Sequence, residues 1–259
     1  MNILLARNAP VGVILRRGPT DWVRLIKWHT DDDTFELGHW FHGHIYEHCS
    51  SLSPDGNKLI YGASQYHRQS DLNAWTAISK PPWLTAIVFW PAESTWEIGG
   101  RFKDDNTVCL RLHDHKPIPR DPLPTDLKVL DCHSCSSSNN DVNVFKEIQD
   151  DQVWPHKVVQ CKPHTKGHLG LIKTTTQYKD GRHRKSYGIR NLETMQDEPL
   201  KGIKWADWDQ RGRLVYPKEG KLFASEVSEK AEILPAKELA DFNDQKPEPI
   251  EPPDWAKVW

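Results

Sequence analysis

The feature that most constrains the fold of this chain is a cassette in which a tight polar turn leads directly into a hydrophobic run. The clearest copy, Ser51 to Tyr61, places a Pro-Asp-Gly turn before Leu-Ile-Tyr, and a second copy, Trp208 to Tyr216, places an Arg-Gly turn before Leu-Val-Tyr. Glycine readily adopts the positive φ of such turns, and the residues that follow it favour a pleated, buried strand. The cassettes therefore predict antiparallel hairpins.

Short strand-like runs separated by turn residues continue through the N-terminal third, too closely spaced for helical crossovers between parallel strands. A further run around Trp90-Pro91 aligns with the first cassette at an offset of 37 residues (91 minus 54). That spacing is close to the ~40–45 residues of one four-stranded unit in repeat proteins. We therefore predict an all-β fold of about five antiparallel four-stranded sheets. The predicted early strands are 11–17, 22–28, 34–41, 45–51 and 58–64.

The remaining sequence predicts one main domain, residues 1–235, with weaker hairpin signals at 170–191 and 202–225. Residues 116–153 contain several prolines and a polar run, which predicts a long loop excursion that could carry binding groups. Residues 236–259 predict a short helix followed by an extended, proline-rich tail. Tryptophans at the end of this tail favour docking on its own domain over docking on a partner.

The cassettes at 52–61 and, less closely, at 208–216 resemble the WD40-like and TolB-type β-propeller repeat. This resemblance implies a β-propeller-like fold of about five blades. It also implies an interaction role, because such propellers mostly serve as binding or scaffolding modules, with some enzymes among them. The middle of the chain contains no further close copy of the cassette. Residues 10–46 resemble the start of uncharacterised bacterial proteins, a likeness that carries no function.

The charge balance does not favour nucleic acid or an anionic membrane as partner, because 34 Lys and Arg against 36 Asp and Glu leave no strong overall field. No apolar stretch approaches the length of a membrane span, and the N-terminus lacks a cleavage-like segment. Five irregularly spaced cysteines fit a reducing compartment, with Cys49, Cys109 and Cys161 as ordinary small buried residues. The sequence thus predicts a cytoplasmic protein.

The chain contains twelve tryptophans but only two methionines, and this abundance of tryptophan has two explanations. Most of these indoles fall in or beside strand-like runs, which favours packing in the core. The alternative is that some are exposed anchors for a partner protein. The candidates for that role are Trp75, Trp83 and Trp90, which surround Pro81-Pro82.

A basic run, residues 179–185, provides one local positive patch on a predicted hairpin tip. Such charges commonly solvate the tip and protect it from aggregation. They could also contact phosphate or an acidic partner, and the candidates are Arg182 and Arg184. Both interpretations stay open at the level of sequence.

The clearest metal-ligand pattern is Cys132 and Cys135, a Cys-x2-Cys knuckle that His113 and His115 could complete as a zinc site. The alternatives are free cysteines in a loop or a redox pair, so zinc is a hypothesis and no cofactor is otherwise expected. A second trio, His42, His44 and His48, shares one face if the strand is continuous, although its length requires a bulge to gather all three.

No nucleophile elbow, P-loop, dinucleotide fingerprint or EF-hand loop occurs in the chain, and the acidic pairs fall at turns. Two functions from different classes therefore remain. The favoured one is a cytoplasmic module that binds or scaffolds another protein in a multi-protein bacterial system. The alternative is a metal-dependent hydrolase whose site lies at the mouth of a propeller channel. Bound metal with an open coordination position would distinguish the second from the first.

Overall fold

The computed structural model describes residues 1–65, 72–110, 118–131, 145–165 and 167–259. Within these residues the protein is all-β, as predicted, with strands arranged in five sheets and only a 3-10 turn at Asp254–Ala256. Each sheet is built from strands that follow one another along the chain. The chain divides into two compact units: unit 1 comprises the described residues of 1–137 and 245–259, and unit 2 those of 138–244.

Unit 1 contains three sheets. Its pairs are antiparallel, as predicted, with one exception: β10 and β11 run parallel, with Thr107 opposite Lys128. The core between the strands is aliphatic and aromatic, and Val13, Leu25 and Leu59 are among its fully buried members. The strands are β1 (Asn2–Leu5), β2 (Val11–Arg17), β3 (Trp22–His29) and β4 (Thr34–His42) in sheet 1, β5 (His44–Leu52), β6 (Leu59–Ser64), β7 (Ala74–Ser79) and β8 (Val88–Ala92) in sheet 2, and β9 (Gly100–Asp104), β10 (Thr107–Leu110) and β11 (Lys128–Asp131) in sheet 3.

Unit 2 contains two antiparallel sheets, one of five strands and one of four. Leu169, Leu171, Ile189 and Leu214 are fully buried in its core. The strands are β12 (Lys146–Asp151), β13 (His156–Pro163), β14 (Leu169–Gln177), β15 (His183–Asn191) and β16 (Asp197–Pro199) in sheet 4, and β17 (Asp207–Trp208), β18 (Leu214–Lys218), β19 (Lys221–Ser225) and β20 (Lys237–Asp241) in sheet 5.

Two details of the predicted organisation are wrong. The segment expected to begin the C-terminal region as a short helix is strand β20, because pairing with β19 supplies its hydrogen bonds and overrides the helical preference of Lys-Glu-Leu-Ala. The predicted excursion 116–153 also contains two strands, β11 and β12, each paired with a neighbour.

The turn cassette, with its glycine and its two backbone hydrogen bonds, occurs four times in the described residues. In each copy the first residue donates its N–H to the carbonyl near the start of the next strand, and the glycine N–H donates back to the first residue. These pairs of bonds are Ser53 to Lys58 (2.8 Å) with Gly56 to Ser53 (2.9 Å), His164 to Leu169 (2.8 Å) with Gly167 to His164 (3.0 Å), Tyr178 to Arg182 (2.9 Å) with Gly181 to Tyr178 (3.0 Å), and Asp209 to Arg213 (3.0 Å) with Gly212 to Asp209 (2.9 Å). The copy at 164–169 was missed from sequence because its polar side chains differ and only the glycine is shared.

Turns of successive sheets contact one another within each unit. In unit 1 the Asn8 N–H donates to the Pro54 carbonyl at 2.9 Å, and the Asp55 N–H donates to the Asp105 carboxylate at 2.8 Å. In unit 2 the His164 imidazole donates from Nε2 to the Gly212 carbonyl at 2.7 Å. These bonds connect sheets 1 and 2, sheets 2 and 3, and sheets 4 and 5. The cassettes therefore join neighbouring sheets as well as neighbouring strands.

Replacing Gly56 with alanine is expected to destabilise the protein by about 2–4 kcal/mol, which combines left-handed backbone strain with overpacking. Gly56 has φ +76°, and an added Cβ would lie 2.8 Å from Cβ of Val11. Gly181 is the matched control, because its φ is +82° but an added Cβ meets nothing within 4 Å, so its substitution should cost about 1–2 kcal/mol. Urea unfolding curves measure both losses. Equal losses would show that Val11 moves aside without cost.

Candidate protein-binding surface

Two hairpins of sheet 4, β12–β13 and β14–β15, have their turns at the same end of that sheet. Register aligns His156 with Gln177, and Gln177 with His183, so the turns 152–155 and 178–182 lie at the same end of the sheet. We call these two turns the hairpin end. Strand β12, which leads into the first turn, is one of the two edge strands of sheet 4 and is exposed along most of its length.

The hairpin end exposes large apolar side chains. Val153 is exposed, and Trp154 retains 47% of its accessible surface. Trp154 and Pro155 from one turn, together with Tyr178 from the other, line a shallow hollow of about 370 Å³. An aromatic group that is neither buried in a core nor isolated is typical of an interaction surface. Sequence analysis did not single out Trp154, although its place between paired aspartates and Pro155 indicates a turn.

Arg182 is held beside this hollow by its own turn. Its backbone N–H and its side-chain Nε both donate to the Asp180 carboxylate, at 3.0 and 2.6 Å. Its guanidinium carbon lies 5.7 Å from the centre of the Tyr178 ring, a cation–π distance. The side chain remains exposed. The turn therefore orients a cation next to the half-buried Tyr178 ring.

Arg184, the other predicted basic contact, lies on a strand rather than in the turn. It is opposite Thr176, which is opposite Lys157, so these side chains share one face of sheet 4. The next residue, Lys185, points to the other face because side chains alternate along a strand. The basic run is therefore divided between two faces and does not form a single patch.

Two of the three predicted tryptophan anchors lie in the core of unit 1. Trp90 is 2% exposed, and Trp75 is buried between Phe41 and Phe89, with ring centroids 5.7 and 6.0 Å away. Trp75 and Trp90 therefore pack in the core, as the first of the two explanations for the tryptophans proposed. A partner has no access to these indoles in the folded protein.

The third predicted anchor, Trp83, is half-buried. Its ring meets His39 edge to face, with centroids 5.0 Å apart. Its indole Nε1 is buried and has no hydrogen-bond partner among the residues that the structure describes. A Trp83 contact with a partner therefore stays a prediction.

The predicted zinc ligands Cys132, Cys135, His113 and His115 lie outside the described residues. Among the residues that are described, no group of three or more His, Cys, Asp or Glu side chains is arranged to hold a metal ion.

The structure does not meet the condition set for the histidine trio, and one expectation for the cysteines is wrong. The histidine trio does not share a continuous strand, because the chain turns at Gly43 between His42, which ends β4 in sheet 1, and His44, which begins β5 in sheet 2. Cys109 is buried, as expected, but it is disulfide-bonded and is therefore not an ordinary thiol.

The chain matches no protein-family model and no curated protein. In the part of the chain that is described, no helix combines the length and the apolar character needed to cross a membrane. The geometry of the chain itself therefore has to support any functional assignment.

Proposed function

We propose that this protein is a module that binds or scaffolds another protein, with the hairpin end of sheet 4 as a contact surface. The observation that carries the proposal is that the exposed Trp154 and the half-buried Tyr178 line one hollow, with the exposed Arg182 beside Tyr178. Tryptophan, tyrosine and arginine are the residue types that most often dominate the binding energy of protein interfaces.

Two physical factors favour binding at this surface: a small loss of conformational entropy and a large apolar area to bury. An indole carries a large apolar surface and has only two side-chain rotations to lose on binding. Arg182 is already oriented by Asp180, which reduces the ordering cost of using its cation. Edge strand β12 adds exposed backbone groups beside Trp154, and these suit an extended segment of a partner.

We further propose that the five sheets are blades of a β-propeller-like fold. Three features support this arrangement: the sheets follow one another along the chain, the turn cassette recurs in three of them, and turns of successive sheets are hydrogen-bonded within each unit. A propeller of this kind is a rigid support for contact groups on its loops and turns.

Replacing Trp154 with alanine is expected to weaken partner binding by at least 10-fold, in line with loss of an interface anchor. The measurement is affinity purification from the native cell, with quantitative mass spectrometry of bound proteins for the wild type and each variant. R182A should give a smaller loss of the same partner. The matched control is W96A, which removes a tryptophan that is 72% exposed in unit 1. Retention of every partner by W154A would overturn the proposal.

A further inference from the structure

Arg24 is a buried cation on β3 of unit 1. Only 4% of its side chain is exposed. It lies directly opposite Trp40 on β4, and its guanidinium carbon is 5.2 Å from the centre of the Trp40 ring. Trp22, two residues before Arg24 on the same face, meets the Trp40 ring edge to face at 6.4 Å. Arg24 therefore lies in an aromatic setting that removes it from water.

The Arg24 charge and the buried N–H donors beside it lack close acceptors in the described part of the chain. Arg24 Nε and Trp40 Nε1 are both buried, and within the described residues neither has a hydrogen-bond partner. The carboxylate paired with Arg24 belongs to Glu248, 3.7 Å away and 64% exposed. Burial lowers the pKa of Arg24, and Glu248 only partly opposes that effect. A buried cation with unused N–H groups favours a closer oxyanion than Glu248 provides.

Glu248 belongs to the C-terminal tail, residues 245–259, which is part of unit 1. The prediction that this tail docks on its own domain is confirmed by its contacts. The Ile250 carbonyl accepts a bond from His39 Nε2 at 2.9 Å, and the Trp255 carbonyl accepts one from Lys80 at 3.2 Å. The Leu84 N–H donates to Nδ1 of His39, so this histidine is neutral and its Nε2 carries the proton.

The donors that hold the tail match the chemistry of a proline-containing peptide. Residues 247–253 read Pro-Glu-Pro-Ile-Glu-Pro-Pro, and proline offers a carbonyl but no N–H. His39 and Lys80 supply donors for backbone carbonyls, which in the tail are those of Ile250 and Trp255, and Arg24 supplies a cation for a carboxylate. An extended proline-containing segment loses little conformational freedom when it docks, which makes it a common ligand for aromatic surfaces.

We propose that Arg24 and Trp40 form a carboxylate-binding site for an acidic, proline-containing segment of a partner protein, and that the C-terminal tail is its intramolecular occupant. This inference rests on the proposed function as a binding module and names a second contact surface, together with the chemistry of its partner. The partner carboxylate takes the place of Glu248 and accepts from Arg24 Nε and Trp40 Nε1. His39 then binds a carbonyl of the incoming segment.

The test uses the full chain and a fluorescent synthetic peptide with the sequence of residues 246–254. Fluorescence anisotropy should show at least fivefold tighter binding to E248Q than to the wild type, because E248Q removes the competing carboxylate in the tail. The control is E251Q, which removes a neighbouring tail carboxylate that acts on His39 but not on Arg24. Equal affinities for E248Q and E251Q would overturn the proposal.

A second set of variants tests the site itself in the E248Q background. W40F removes the indole N–H while keeping an aromatic ring and should weaken peptide binding at least fivefold, and R24K should do the same with an ammonium in place of the guanidinium. A peptide with glutamine in place of its first glutamate should lose affinity equally. Unchanged binding in any of these cases contradicts the proposal, as does displacement of the peptide by millimolar inorganic phosphate.

The proposals for the two surfaces can be overturned independently of each other. W154A combined with E248Q should bind the peptide as E248Q does, because Trp154 belongs to unit 2. Peptide binding that is absent from every variant, alongside partner capture that depends on Trp154, would overturn this inference alone. Peptide binding that follows Arg24 and Trp40, alongside partner capture that ignores Trp154, would overturn only the hairpin-end surface.

Discussion

Replacing Asp209 with alanine is expected to lower the free energy of unfolding by about 3–5 kcal/mol, the loss typical of breaking a buried ion pair. The Asp209 carboxylate is fully buried. It accepts the backbone N–H groups of Arg211 and Arg213, at 3.0 and 2.8 Å, and pairs with the Arg213 guanidinium at 2.8 Å. The substitution removes the acceptor for all three groups in the cassette turn of sheet 5.

The expected loss of stability comes from the buried Arg213 charge that the substitution leaves unpaired. It does not come from the loss of a strongly favourable ion pair. Burial raises the pKa of Asp209 more than Arg213 and the backbone N–H groups lower it. The carboxylate therefore gains little net free energy from being buried. The Arg213 side chain is also buried, however, and after the substitution its charge keeps the cost of burial without the carboxylate.

Asp180 is the matched control for this prediction. Its carboxylate accepts the backbone N–H and the Nε of Arg182 in a similar turn, but both side chains are exposed. Its replacement by alanine should cost about 1 kcal/mol or less, because water replaces the lost contacts. Urea unfolding of the two variants measures the difference. Similar losses for both would mean that burial adds nothing to the Asp209 interaction.

Replacing Trp90 with alanine is expected to destabilise the protein by about 3–5 kcal/mol, because it opens a cavity in a close-packed core. The indole lies on β8 in the cluster that includes Ile78, Phe102 and Val108. Thermal and urea unfolding measure the loss. At temperatures where the variant stays folded, binding of a partner at the hairpin end should be unchanged.

The same measurement on W96A serves as comparison, because that indole is mostly exposed and its removal should change stability by no more than about 0.5 kcal/mol. Native stability of W90A together with loss of a partner would contradict the buried position of Trp90. It would also restore the interpretation of this residue as an anchor.

The cassettes show which part of the fold is readable from sequence. Gly56 and Gly212 carry a backbone requirement, a positive φ, that few other residues satisfy, so the turns and the strands after them are predictable. Gly167 meets the same requirement in the turn at 164–169, but glycine alone is too common to identify a repeat. Strand β20 was mispredicted because its pairing with β19 is a long-range interaction that local preference does not contain.

The candidate surface was only partly predictable. The hairpin tip around Arg182 followed from its Asp-Gly turn, and the structure has that turn. The burial of Trp75 and the exposure of Trp154 depend on what packs against each ring, and strand-like residues surround both in the sequence. The Arg24 site was not predicted at all, because Glu248 is 224 positions away (248 minus 24) and the pairing exists only after the tail docks.

The chain order of unit 1 affects when its surface is completed. Residues 245–259 belong to the same compact unit as the early sheets, yet the whole of unit 2 is encoded between them. During synthesis at ~5–20 residues per second, the ribosome adds these tail residues about 10–40 s after strands β3 and β4. Throughout that interval Arg24 and Trp40 face the cell without Glu248. Under the carboxylate-site proposal, an acidic segment of a partner protein would therefore meet this surface before the chain's own tail can compete for it.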